Sequence, residues 1–238
     1  MVKKLLQSKA FKLFLLACVL LVILVALLLS FKSTRRYLFN LGALNWAISA
    51  YNSYRPTYIS MQNDEDCFLI LNRQEVQFEK LANQKHPKGC DLNGTIRVSK
   101  LGNFYLSSPA IMTCQLALHL QQFTKNVVNP RAQEYFGADI QLIEHIGTYN
   151  CRSGRGMKSI LSEHAFANAI DILGFTTSKG EKISVENHWT HQGNRGKFLH
   201  EIGSKACDHF SIALGPNYDR NHHNHFHFDM APFSYCGH

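Results

Sequence analysis

The sequence predicts an α+β domain behind one membrane-spanning helix, and three observations predict it. Nineteen consecutive residues, 13–31, carry no charge; six of the seven cysteines lie beyond them; and the rest of the chain mixes helical stripes with hairpin-linked strands that do not alternate strictly with the helices. At about 1.5 Å of rise per residue the uncharged run covers roughly the 30 Å of a bilayer's hydrocarbon layer. Lys3, Lys4, Lys9 and Lys12 precede it and Lys32, Arg35 and Arg36 follow, a bias that keeps the N-terminus cytoplasmic. The run is longer than a secretory signal's apolar region, and Leu29-Ser30-Phe31-Lys32 offers no small-residue cleavage site, so an uncleaved anchor is expected. The chain divides into a basic N-terminus (1–12), a transmembrane helix (13–31), a membrane-proximal connector (32–66) and one globular domain (67–238).

The formal charge of +8 resides in the anchor. Residues 1–36 hold seven of the 25 basic side chains and none of the 17 acidic ones, leaving 18 against 17 for everything else. A near-neutral domain lacks the cationic face that phosphate backbones require, which excludes nucleic acid as a partner.

Cys67, Cys90, Cys114, Cys151, Cys207 and Cys236 make an even six, and none forms a CxxC pair. Three disulfides in an oxidising compartment are therefore expected, with spacing alone leaving the pairing open.

Along the domain, the segment between Cys67 and Cys90 reads as a short helix or irregular stretch. A strand at 95–98 turns at Gly102 and resumes at 104–106. Ser107-Ser108-Pro109 reads as a helix start, and Ile111, Met112, Leu116, Leu120, Phe123 and Val127 form a buried helical stripe ending before Pro130. Ile140, Leu142 and Ile146 mark a strand leading to Gly147. Residues 169–175 form another, followed by a turn at Ser178-Lys179-Gly180 and a strand at 182–185. Phe198, Leu199, Ile202, Cys207 and Phe210 mark an amphipathic helix, and 225–230 is the last strand.

Of thirteen histidines, His86, His119, His145, His188, His191, His200, His209 and His238 are expected to be surface or core residues without a chemical role. Two segments differ. In Ser162-Glu163-His164-Ala165-Phe166-Ala167-Asn168-Ala169-Ile170-Asp171, a continuous helix would hold His164 and Asp171 about 10 Å apart. A tight turn through the alanines would bring them together as ligands of zinc or another divalent ion. In His222-His223-Asn224-His225-Phe226-His227-Phe228-Asp229, a strand sends Phe226, Phe228 and Met230 to the core and His225, His227 and Asp229 to the other face. Two histidines and one aspartate leave a fourth tetrahedral position open, as in catalytic zinc sites. Arg152, in Tyr149-Asn150-Cys151-Arg152-Ser153, is the candidate for steadying an oxyanion.

These segments resemble the bacterial extensin-like C-terminal domain family: Tyr-x-Cys-Arg at 149–152, Ser-Glu-His-Ala-x-x-Asn-Ala-x-Asp-Ile-x-Gly-Phe at 162–175, Leu-Gly-Pro at 214–216, and His-x-His-x-Asp at 225–229. That family is similar in turn to zinc peptidases of the D-alanyl-D-alanine carboxypeptidase, murein endopeptidase and hedgehog group. The resemblance implies a small antiparallel sheet with flanking helices. It assigns His164, Asp171 and His227 as Zn2+ ligands, His225 as auxiliary or general-base histidine, and Arg152 as stabiliser of the substrate oxygen. It also suggests sequential disulfides, Cys67–Cys90, Cys114–Cys151 and Cys207–Cys236. The chain departs from the wider pattern in having Ala167 where glycine is preferred and in lacking a Glu-x-x-His base.

The function so implied is a peptidoglycan peptidase, an endopeptidase or carboxypeptidase acting on stem peptides in the periplasm while anchored to the inner membrane. The alternative is a metal-stabilised module that binds cell wall or a partner without cutting.

Overall fold

The computed structural model describes residues 64–154 and 157–237, all within the compact unit Thr57–His238. The expected basic N-terminus, membrane helix and nearly all of the connector lie outside the described residues. Among the described residues no helix is long and apolar enough to cross a membrane.

Helix α1 (Asp64–Arg73) opens the described chain. Its first turn holds Asp64, Glu65 and Asp66 and its last holds Arg73, charges that suit the two ends of the helix dipole. The acidic residues assigned to the connector thus start a helix. The helix buries Cys67, Phe68 and Leu71. Strand β1 (Gln77–Lys80) was not anticipated, because as a largely exposed edge strand it has no apolar alternation to read.

Strands β2 (Thr95–Leu101) and β3 (Phe104–Thr113) form the expected hairpin about Gly102, whose φ of +60° suits glycine. The expected helix start at Ser107-Ser108-Pro109 is wrong. These three exposed residues lie within β3, in a bulge between the pairs Lys100–Tyr105 and Val98–Ala110, after which Ala110 and Met112 return to the core. The bulge hides the period-two pattern and lets proline sit in a strand. His145 fastens it, its backbone N–H donating to Ser107 Oγ at 3.1 Å.

Helix α2 (Cys114–Phe123) begins only at Thr113, whose Oγ1 accepts from the Leu116 N–H at 3.2 Å. Nor does the helical path stop before Pro130. A π-helical turn, Thr124–Val128, leads into α3 (Asn129–Phe136) with Pro130 as its second residue, directly after the wider π turn. Thr124 Oγ1 donates to the Leu120 carbonyl at 2.7 Å where the geometry changes.

The remainder comprises β4 (Ile140–Gly147), β5 (Ser153–Gly154), β6 (Met157–Leu161), β7 (Ala169–Thr177), β8 (Lys182–Ser184), α4 (Val185–His188), α5 (Asn194–Ala206), β9 (Ile212–Leu214), β10 (Phe226–Asp229) and β11 (Tyr235–Gly237). The expected strands and amphipathic helix are all present. The sheet is larger and more varied than expected. It has nine strands in the order β1-β2-β3-β4-β7-β10-β9-β11 with β8 beside β7, and both β3–β4 and β9–β11 are parallel. β5 and β6 form a separate ribbon.

The architecture is therefore α+β, with the core between the sheet and helices α2 and α5. Phe226 and Phe228 are fully buried, and burying each stabilises the fold by about 2–3 kcal/mol. Phe228 stacks on Phe210 with ring centroids 4.7 Å apart and meets the edge of Phe123 at 5.6 Å.

The disulfides are Cys67–Cys114, Cys90–Cys151 and Cys207–Cys236. Only the last follows the sequential expectation. The β2–β3 hairpin returns the start of α2 to α1, so Cys114 meets Cys67, and Cys90 is left to the segment after β4. These are contacts of tertiary path, invisible to sequence order.

Candidate metal centre

β7 and β10 pair antiparallel with His227 directly opposite Asp171. Facing residues on such a pair hold their Cβ atoms about 5 Å apart, so the two side chains converge on one face. The third group arrives from the 3-10 turn Glu163–Phe166, which starts when Ser162 Oγ accepts from the His164 N–H. It ends at Ala167 with φ of +54°, a left-handed conformation that favours glycine. Glycine would take this conformation freely, and Ala167 takes it with strain.

Asn168 locks the turn in place. Its Nδ2 donates to Glu163 Oε2 at 2.7 Å and to the Met230 carbonyl at 3.1 Å, while its Oδ1 accepts from Thr113 Oγ1 at 2.8 Å. One amide therefore ties the turn, the end of β10 and the cap of α2.

His164, Asp171 and His227 are brought together as the sequence predicts. His164 Nε2 stands 3.2 Å from Asp171 Oδ1 and 3.2 Å from His227 Nδ1, and His227 Nδ1 stands 2.9 Å from Asp171 Oδ1. Donors about 2.0–2.1 Å from one tetrahedral zinc ion would lie about 3.3 Å apart. The triangle is close to that size, and its two-nitrogen, one-oxygen donor set suits zinc.

The outward-facing atoms of the histidines are fixed as metal ligands require. His164 Nδ1 donates to the Thr148 carbonyl at 3.2 Å, leaving Nε2 for the triangle. His227 Nε2 lies 3.0 Å from Asp229 Oδ2, leaving Nδ1. Asp229 is itself buried, and its Oδ1 accepts from the Ala231 N–H at 3.0 Å. A carboxylate or carbonyl behind each imidazole sets its tautomer and orientation. Asp229 was recognised as sharing a face with His227 but not as its support; its position two residues along the strand was the available signal.

Burial works to raise the pKa of Asp171, but hydrogen bonds from His164 and His227 outweigh it and hold the carboxyl well below the usual range. Burial works to lower that of His227, yet Asp171 and Asp229 on its two sides raise it above the ordinary value. Glu163 is pushed up by burial, against the Asn168 hydrogen bond, with the Asp229 charge adding to the rise.

His225 sits just outside the triangle, its Nε2 3.7 Å from Asp171 Oδ1, and its Nδ1 is 2.8 Å from Asn224 Oδ1. Arg152 does not touch the triad. It lines the same cavity of about 400 Å³, with its carbonyl accepting from the Ser162 N–H and its Nη1 3.4 Å from the Ser153 carbonyl. His222 also lines the cavity, its Nδ1 2.7 Å from Asp219 Oδ1 and its ring 5.2 Å from that of His225. It was seen only as a member of a histidine-rich segment, since nothing in the sequence marks the turn that aims it inward. A second convergence, His86 with Cys90 and Cys151, is not a metal site because its two sulfurs form a disulfide.

No curated protein and no solved structure is similar enough to the chain to match it. The sequence model of one family matches residues 65–237, the whole span that carries this centre. By that match the chain belongs to the family described as extensin-like protein C-terminus.

Proposed function

We propose that this chain is a zinc-dependent peptidase with a hedgehog/D-Ala-D-Ala-peptidase-like fold, cleaving the stem peptides of peptidoglycan as an endopeptidase or carboxypeptidase. The observation that carries the reading is the triangle of His164 Nε2, Asp171 Oδ1 and His227 Nδ1, of which Asp171 and His227 line an open cavity while His164 is buried behind them. A structural site would be closed by a fourth side chain, whereas three protein ligands and access from solvent are the pattern of catalytic zinc.

When bound, zinc supplies Lewis-acid polarisation of a carbonyl and makes water a stronger acid. The chain's own groups do the rest. Thr148 and Asp229 hold the rings of His164 and His227 so that Nε2 of the first and Nδ1 of the second would face the ion, and Asp171 adds the compensating charge. His225, beside Asp171, receives a proton from water and returns it to the leaving amine. Arg152 on the cavity wall stabilises the tetrahedral oxyanion. Three disulfides suit a periplasmic location, and the uncharged run 13–31 would anchor the domain to the inner membrane within reach of the wall.

The test is muropeptide analysis after incubating peptidoglycan with the detergent-solubilised, zinc-loaded full chain. New peptide products are expected, lost in His164→Ala and, with zinc content unchanged, in His225→Ala. Unaltered muropeptides with fully loaded protein would refute cleavage, and retained wall binding in that case would favour a non-catalytic module.

A further inference from the structure

Seven large hydrophobic side chains are exposed among the described residues, and five of them ring the one cavity above the metal centre: Ile146, Ile160, Tyr218, Phe233 and Tyr235, each 43–59% exposed. Exposed apolar groups concentrated around a polar floor mark a ligand surface rather than ordinary scatter. The lining holds two kinds of apolar group, aliphatic ones at Ile146, Ile160, Leu161, Ile212 and Leu214 and aromatic ones at Tyr218, Phe233 and Tyr235.

The aromatic part is built to hold its shape. Tyr218 and Tyr235 meet edge to face with centroids 5.7 Å apart, and Tyr218 meets His222 in the same way at 5.4 Å. With His222 packed 5.2 Å from His225, a continuous ladder of rings runs from the rim to the metal centre. The Tyr235 N–H donates to the Ser211 carbonyl, the Gly215 N–H donates to the Gly237 carbonyl, and Cys207–Cys236 ties the strand to the end of α5. Trp189 Nε1 donates to Asn217 Oδ1 at 3.0 Å beside Tyr218. Gly237 makes the pairing of the tyrosines feasible, because a Cβ there would lie 2.7 Å from Tyr218 Cδ2 and 3.0 Å from Tyr235 Cε1.

We infer that the Tyr218–Tyr235 pair, with Phe233 in the same cavity lining, is a saccharide subsite, which seats a pyranose ring of the substrate's glycan while the peptide lies toward the metal centre. A pyranose offers a C–H face that stacks on a flat ring and hydroxyls that need polar partners at its edge. Tyrosine supplies an apolar face with a polar tip, and Asp219, in the same cavity lining, supplies an acceptor at Oδ2, its Oδ1 being taken up by Asn221 and His222. An apolar peptide side chain would find its complement in the isoleucines and would leave the tyrosine hydroxyls without use. The inference rests on the peptidoglycan reading for the choice of sugar, and it makes glycan-linked peptide the preferred substrate over free stem peptide.

The test is calorimetric titration of the zinc-loaded full chain in detergent with chitotetraose, a chain of N-acetylglucosamine that holds no stem peptide to cleave. Saturable binding is expected. Tyr235→Ala and Gly237→Ala should each weaken it at least tenfold, the second displacing the rings without removing them, and Tyr235→Phe, which keeps the ring and loses its hydroxyl, should weaken it by a smaller factor of about threefold or more, while the remote Leu69→Ala stays within about twofold. Circular dichroism identifies the folded variants, and the loaded enzyme should show a raised KM for glycan-linked peptide in Tyr235→Ala with kcat unchanged. Absence of binding at millimolar sugar, or binding unaffected by Tyr235→Ala and Gly237→Ala, would overturn the subsite. Sugar binding without any muropeptide cleavage would sink the peptidase and leave the subsite standing. Equal cleavage of free and glycan-linked peptide without sugar binding would do the reverse.

Discussion

Replacing Asp229 by asparagine tests the metal centre without touching a proposed ligand. Asp229 Oδ1 accepts from the Ala231 N–H and Oδ2 lies 3.0 Å from His227 Nε2, where it holds the proton on Nε2 and frees Nδ1. An asparagine that keeps Oδ1 on Ala231 turns its Nδ2, a donor, toward His227. The imidazole then carries its proton on Nδ1, the atom that faces Asp171 and His164. The flipped amide restores the acceptor at His227 but sets two donors against each other at Ala231. The first arrangement puts a proton on the nitrogen that faces the ion and the second forfeits a buried hydrogen bond, and in both the compensating charge is lost. Loss of such a supporting partner weakens metal affinity by about 10- to 100-fold, or about 1.4–2.8 kcal/mol. Competition with a chromophoric zinc chelator at pH 7.5 reads that change, and circular dichroism confirms the fold. Combined with His227→Ala, Asp229→Asn should cost nothing further. Zinc affinity within twofold of wild type in folded Asp229→Asn would refute the supporting role.

Two further predictions concern stability. Burial, partly offset by a hydrogen bond to the His209 carbonyl, lowers the pKa of His119 from 6.5 to about 4. Between those values the unfolded chain binds the proton and the folded one does not, so the contribution is fully present above pH 6.5 and is lost as the pH falls toward 4. The loss amounts to about 3 kcal/mol. Urea unfolding at pH 7 and 4.5 should show a markedly smaller acid loss in His119→Asn than in wild type; equal losses would contradict it. At Gly174, which pairs with Ser184, an added Cβ would lie 2.2 Å from the Ile183 carbonyl oxygen. Gly174→Ala should therefore lower unfolding free energy by about 2 kcal/mol or more, read by chemical denaturation; a loss under 0.5 kcal/mol would show that β8 simply moves away.

How legible each part was in the sequence follows from how local its determinants are. The alternation around Phe226 and Phe228 made β10 readable and placed His227 on the opposite face. The turn between His164 and Asp171 was readable because a helix could not bring them together. The start of α2 was misread because a three-residue bulge at Ser107–Pro109 interrupts β3 in residues that also suit a helix start. β1, exposed and at the sheet edge, gave no pattern. Asp229, Thr148 and Asn168 escaped because their parts in the site are hydrogen bonds made across separate elements.

By itself, the sequence determined the α+β class and most of the strands and helices, since periodicity and chain stiffness act over a few neighbouring residues, whereas the choice of His227 as partner to His164 and Asp171 came from the family resemblance. Only the tertiary structure decided which cysteines pair, which strands run parallel, what stands behind each histidine, and how Tyr218 and Tyr235 close over Gly237. Those contacts join residues far apart along the chain, and their distances are set by how whole elements pack.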